Sequence, residues 1–201
     1  KKYKIKKFIF GSSSSVYGDQ KKFPITEDSK LNPKNPYAKT KLYSEKIVAK
    51  TFKLSKTKFI IFRFFTVYGP FGRPDMFIHK FLNSIKNKER IYIHNNGLNF
   101  RDFTYIVDIL TILEKALIVN PKSKILNICR SKPIKTTKLV SLISKIYDKD
   151  YKIQKTGIVR GEMFKTHGSN KLLKKNFRSI KFTDISYGLK KTILTFKKYG
   201  Y

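Results

Sequence analysis

Gly11-Ser12-Ser13-Ser14-Ser15-Val16-Tyr17-Gly18, followed after a polar interval by Tyr37-Ala38-Lys39-Thr40-Lys41, is the stretch on which the reading of this chain turns. Ahead of it, Lys6 to Phe10 reads as a strand, so the serine run falls in the loop at its C-terminal end. Ligands of open α/β sheets bind at that end. Asn32-Pro33-Lys34-Asn35-Pro36 closes the polar interval, and proline just before a helix is a favoured start. A helix over Tyr37 to about Leu54 follows, with Ala38, Leu42, Ile47 and Ala49 on its apolar face. Tyr37 and Lys41, four residues apart, then share one face one turn apart. An ammonium beside a phenol favours the phenolate, which suits such a pair to general-base work. A lone Tyr-x-x-x-Lys says little in a chain rich in both residues, where it more often marks a solvated helix face. Set between a strand with a serine loop and a second buried strand, it says much more.

That second strand is Lys58 to Phe65, whose Phe59-Ile60-Ile61-Phe62 is continuously apolar. Thr66 to Asp75 forms a Gly/Pro loop, and a helix from about Met76 to Asn87 comes next. Ile91-Tyr92-Ile93 reads as a short strand leading into Asn95-Asn96-Gly97, a hairpin-type turn signal. A helix near Val107 to Val119 and a strand over Ile125 to Ile128 follow. Thr136 opens a helix with Leu139, Val140, Leu142, Ile143 and Ile146 at helical spacing. Ser169 is placed to cap a helix over Lys171 to Lys175, and the last helix runs from about Ile185 to Lys198. Strands alternating with helices predict an α/β fold.

Composition narrows the function classes. The chain has 201 residues, 40% hydrophobic and 14% aromatic, enough to bury a core. No run approaches the roughly 18 apolar residues of a membrane helix. The single Cys129 excludes an internal disulfide and a Cys-based zinc site, which suits a reducing cytoplasm. His79, His94 and His167 lack metal-ligand spacing, so no metal is expected. The net charge of +32 invites a nucleic-acid reading. Against it, the lysines are spread along the chain, and Lys outnumbers Arg 38 to 7, whereas specific nucleic-acid contacts favour Arg forks. A solvated basic surface is the expectation, with no specific nucleic-acid partner.

Ser13, Tyr37 and Lys41, in this order, resemble the catalytic triad of short-chain dehydrogenases, and Ser-Val-Tyr-Gly resembles the extended branch of sugar-nucleotide epimerases and dehydratases. Arg63-Phe64-Phe65-Thr66-Val67-Tyr68-Gly69-Pro70-Phe71-Gly72-Arg73-Pro74-Asp75-Met76 looks like the signature of UDP-glucuronate 4-epimerases. Arg101-Asp102-Phe103 resembles that family's Arg-Asp-Phe/Tyr motif, and Arg160-Gly161-Glu162 its late Gly-Asp segment. The resemblance implies the C-terminal part of a Rossmann-like doubly wound parallel sheet plus a smaller α/β substrate-binding portion. About 1–65 and 100–130 would form the Rossmann-like core, and about 66–100 and 130–201 mainly the substrate-binding portion.

By the same resemblance, Ser13 is the catalytic hydroxyl, Tyr37 the base, and Lys41 the residue that tunes Tyr37 and bonds the nicotinamide ribose. NAD is the implied cofactor, with Tyr37, Lys41, Phe64 and Val67 on it. A UDP-sugar is the implied substrate, with Ser14, Ser15, Thr66, Arg73, Arg101 and Arg160 on it. Arg holds a carboxylate bidentately, which suits Arg73 to a uronic acid; its plainer role is a loop pair with Asp75. Asp102 is expected to orient backbone or Arg101. Dehydratases of this branch carry an Asp-Glu pair where this chain has Ser14 and Ser15, which speaks against water elimination. A homodimer through the Tyr37 helix is also implied. The family's Gly-rich dinucleotide turn is nowhere in the sequence, and the chain opens on Lys1, so it reads as a fragment without the first βαβ units. Two alternatives stay open: a neutral-sugar enzyme like UDP-glucose 4-epimerases, and a non-catalytic, basic polyanion-binding remnant of the fold.

Overall fold

The apolar run Phe59-Ile60-Ile61-Phe62 lies in the central strand of a parallel sheet in the computed structural model, which describes residues 4–148, 151–157 and 163–200. In chain order the elements begin with β1 (Lys7–Ser13), a 3-10 turn (Ser14–Tyr17), α1 (Pro36–Phe52), β2 (Lys58–Phe64), β3 (Thr66–Tyr68), α2 (Phe77–Lys86) and β4 (Arg90–Ile93). A second 3-10 turn (His94–Gly97), β5 (Phe100–Arg101), β6 (Phe103–Tyr105), α3 (Ile106–Ile118), β7 (Ile125–Ile128) and β8 (Ile134–Lys135) follow. The rest comprises α4 (Thr136–Tyr147), β9 (Lys152–Lys155), α5 (Lys171–Asn176) and α6 (Ile185–Tyr199).

The main sheet has the order β1-β2-β7, all parallel. β1 pairs with β2 from Lys7↔Lys58 to Ser13↔Phe64, and β2 with β7 from Ile61↔Ile125 to Phe64↔Ile128. The first strand therefore runs past Phe10 and takes Ser12 and Ser13 into the sheet, further than the apolar pattern reaches. Parallel neighbours need a crossover, and α1 supplies it between β1 and β2. That helix starts where it does because the Asn35 side chain accepts from the Ala38 amide at 2.8 Å and Pro36 occupies the first turn.

Two local expectations fail. Ile47 is 47% exposed, while Glu45 holds a buried position on α1 beside Ala38 and Val48. Asn95, Asn96 and Gly97 all take positive φ, as the turn signal requires, yet among the described residues β4 forms no hairpin. It pairs in parallel with β9, from Arg90↔Lys152 to Ile93↔Lys155. Turn residues fix only the local reversal of the chain; the strand partner is set by tertiary packing.

Three buried clusters hold these layers together. Ile60, Phe62, Ile109, Ile112, Leu126, Leu173 and Phe177 join β2 and β7 to α3 and α5. Ile78, Phe81, Leu82, Ile91, Leu139, Ile143, Leu189 and Phe196 join α2, α4 and α6 around β4. Val16, Tyr17, Ile25, Phe65 and Cys129 pack under the serine turn. The Lys7 ammonium donates to the carbonyls of Ala116, Leu117 and Val119 at 2.7, 2.9 and 3.0 Å, closing the C-terminal end of α3. Among the described residues, no helix is long and apolar enough to cross a membrane.

Candidate active site

The serine turn is built by its own backbone. Ser13 ends β1 in extended conformation, and its hydroxyl accepts from the Ser15 amide at 3.2 Å, so it caps the Ser14–Tyr17 turn. The Ser15 hydroxyl is buried and has no hydrogen-bond partner among the described residues. On α1, Tyr37 stands 55% exposed with the Lys41 ammonium 5.8 Å from its ring centre. Lys41 also donates to the Gly11 carbonyl at 2.8 Å, tying the helix to β1 one strand position from Ser12.

These groups face a cleft of about 850 Å³ at the C-terminal ends of β1 and β2. Ser13, Ser14, Ser15, Tyr37, Lys41, Phe64, Thr66, Val67, Arg73 and Arg101 all line it. Every described residue that the sequence singles out for the site is therefore in one place. Arg160 lies outside the described residues. A second cleft of about 390 Å³ continues from the first, sharing Thr66, Val67, Arg73, Met76 and Arg101 and reaching Tyr92, His94, Asn99 and Thr136.

The loop between the clefts is closely packed. A Cβ on Gly69 would lie 2.2 Å from the Ile106 side chain, and one on Gly72 would lie 2.6 Å from the His79 ring. His79 Nε2 accepts from the Gly72 amide at 3.1 Å and lies 2.9 Å from the Gly69 carbonyl oxygen. This fixes a ring that α2 presents from its buried face. Arg73, 71% exposed, forks onto Asp75 at 3.0 and 2.6 Å, and the guanidinium holds the Asp75 carboxyl below the usual carboxylate range. The pairing expected as the plainer role of Arg73 is thus formed. Arg101 donates to the Phe100 and Phe164 carbonyls at 3.0 and 3.3 Å.

Asp102 is fully buried and orients backbone, accepting from the Gly168 amide at 3.1 Å, while its own amide donates to Thr166 Oγ1 at 3.2 Å. Burial pushes its carboxyl up to about 6. Ser169 accepts weakly from the Lys171 amide at 3.4 Å, and Asn170 holds the cap position of α5.

Sequence reasoning missed a buried polar group behind the cleft. Glu45 accepts from Arg63 Nε at 3.0 Å and Nη2 at 2.7 Å, and from the Ser12 hydroxyl at 2.5 Å. Arg63 Nη1 donates to the Tyr17 hydroxyl at 2.9 Å and to the Glu27 carbonyl at 3.1 Å. Tyr17 in turn donates to Asn127 Oδ1 at 2.7 Å, and burial pushes its phenol up to about 12. The available signal was helical spacing: Glu45 is four residues beyond Lys41 and seven beyond the buried Ala38.

The sequence profile of the NAD dependent epimerase/dehydratase family matches residues 1–129. The chain is 32% identical over 198 residues to a UDP-glucuronate 4-epimerase of Thermodesulfobacterium geofontis, covering 96% of this chain and 60% of that one. The UDP-glucuronic acid 4-epimerase of Bacillus cereus, solved with UDP-glucuronic acid and NAD, is 30% identical with a TM-score of 0.89, over 98% of this chain and 63% of that one. The UDP-N-acetylglucosamine 4-epimerase of Methanobrevibacter ruminantium, solved with UDP-N-acetylmuramic acid, is 26% identical with a TM-score of 0.88, over 96% of this chain and 64% of that one. The chain spans about half to two thirds of the length of the curated relatives it matches.

Proposed function

We propose that this chain, which belongs to the NAD-dependent epimerase/dehydratase family, carries the catalytic and substrate-binding part of a nucleotide-sugar 4-epimerase that interconverts UDP-glucuronate and UDP-galacturonate. The observation that carries this reading is the cleft with Ser13, Tyr37 and Lys41 together with Thr66, Arg73 and Arg101. Phe64 and Val67 offer the flat nicotinamide end of NAD an apolar face, and Lys41 offers its ribose an ammonium. When bound, NAD supplies hydride exchange at the sugar C4. The chain's own part is proton transfer and grip. Tyr37 takes the proton of the 4-hydroxyl and later returns it, while the Ser13 hydroxyl holds the same oxygen. Ser14 and Ser15 provide hydroxyls and no carboxylate at the turn, which leaves the sugar without a partner for elimination.

Oxidation at C4 makes a uronate into a β-keto acid, which loses CO2 readily. Thr66 and the Arg73 fork hold the carboxylate against that loss, the substrate taking the place of Asp75 on Arg73. Arg101 meets the diphosphate. A neutral-sugar enzyme is the second reading, and the closed Arg73–Asp75 pair favours it, because a neutral hexose has no anion to displace Asp75. The protein incubated with NAD and either UDP-glucuronate or UDP-glucose, followed by product chromatography, separates the two readings. Tyr37→Phe should lower turnover of the preferred substrate by about 10²-fold or more. Turnover that survives this substitution would sink the assignment.

A further inference from the structure

The geometry points to a positioning device under the site: a row of side chains across the sheet, Ser12–Arg63–Asn127, that sets where α1 places Tyr37 and Lys41 relative to Ser13. The inference rests on the reading of Tyr37 as the base. Ser12 and Arg63 are register partners on β1 and β2, and Arg63 and Asn127 are register partners on β2 and β7. The three stand at one level of the sheet, one residue short of Ser13, and all are buried. Each reaches a group on the elements above. Ser12 and Arg63 both hold the Glu45 carboxylate, and Asn127 holds the Tyr17 hydroxyl at the end of the serine turn.

Glu45 is one turn along α1 from Lys41 and two from Tyr37, so fixing its carboxylate at two oxygens fixes the phase and height of that helix face. Lys41 adds a second tie, to the Gly11 carbonyl one residue before the row. The 3-10 turn is tied through Tyr17 to Arg63 and Asn127, and the helix through Glu45 to Arg63 and Ser12. Both walls of the cleft that carry reacting groups thus refer to one guanidinium. A bidentate Arg–carboxylate pair constrains angle as well as distance. Displacement of a reacting group by about 1 Å can cost about 10²-fold in rate.

Ser12→Ala removes the tie from Glu45 to β1 and keeps both the ion pair and the Lys41–Gly11 tie. It should lower kcat about tenfold with KM for the UDP-sugar within about twofold, and leave the melting temperature near that of the parent. Glu45→Gln keeps the shape and removes the charge, and should lower kcat roughly 10²-fold with the same KM pattern and a shifted pH profile of kcat. Tyr37→Phe is run beside them. If Tyr37→Phe is inactive while Ser12→Ala and Glu45→Gln keep the parental kcat and pH profile, the positioning role is overturned. If Tyr37→Phe is active, the reading of the site fails instead. Hydrogen exchange of the α1 amides Lys41 to Glu45 gives a readout that needs no turnover. It should accelerate in both variants, and unchanged exchange in both would overturn the row as the anchor of α1.

Discussion

Two arginine–carboxylate forks of nearly the same geometry serve the cleft, one buried behind it and one in its lining. Arg63 meets Glu45 at 3.0 and 2.7 Å with side chains 2% and 3% exposed; Arg73 meets Asp75 at 3.0 and 2.6 Å with side chains 71% and 60% exposed. The difference lies in what surrounds them. Removing one partner of the buried fork leaves a charge with neither water nor counter-ion. The exposed fork can open at small cost, because water and salt stand in for either partner. A buried fork suits a fixed reference, and an exposed one suits exchange with an incoming anion.

The largest effect that tests this contrast is Arg63→Ala, which should destabilise the fold by about 3–5 kcal/mol. Glu45→Met with Arg63→Met should recover most of that, since apolar replacement of a whole buried pair is often neutral. Urea unfolding of both variants checks the claim, and equal losses would show that packing, not the orphaned charge, dominates.

Asp102 sharpens the comparison, being a buried carboxylate held by backbone amides rather than by a fork. Its pKa is raised from 3.8 to about 6. Between these values the folded protein keeps a proton that the unfolded chain releases, so this group's contribution to stability falls as pH rises from about 4 to about 6 and is level above. Asp102→Asn has no such slope. It should gain on the parent by about 1.4 kcal/mol per pH unit across that window, read from urea midpoints at successive pH values. A difference independent of pH would refute the shift.

The smallest effect on the fold belongs to Arg73→Ala, which should leave the urea midpoint near that of the parent. It should nevertheless raise KM for UDP-glucuronate or increase decarboxylated product, while leaving UDP-glucose turnover unaltered. Identical kinetics on the uronate would remove Arg73 from the site.

The parts of the site that could be read from sequence were those written in adjacent residues. Ser13 and the Tyr37/Lys41 pair declare themselves through a strand, a turn and helical spacing. The row beneath them does not, because Ser12, Arg63 and Asn127 become neighbours only once three strands pair in one particular register. Glu45 reads as one more charged residue on a lysine-rich helix, and its burial follows from what the sheet offers it. The Asn95-Asn96-Gly97 segment shows the converse limit, since the turn forms as its residues require and β4 still finds its partner more than fifty residues later.

The tight seating of Gly69 against Ile106 and of Gly72 against His79 bears on redesign of substrate range. Neither glycine can acquire a side chain without moving its neighbour, so mutational drift in this loop is channelled away from its backbone. The adjacent Phe71, Arg73 and Met76 are exposed and border the larger cleft, so a change of size or charge there alters the cleft without moving the two glycines. A library aimed at new sugars would do best to hold the two glycines constant and diversify these three positions around an unmoving frame.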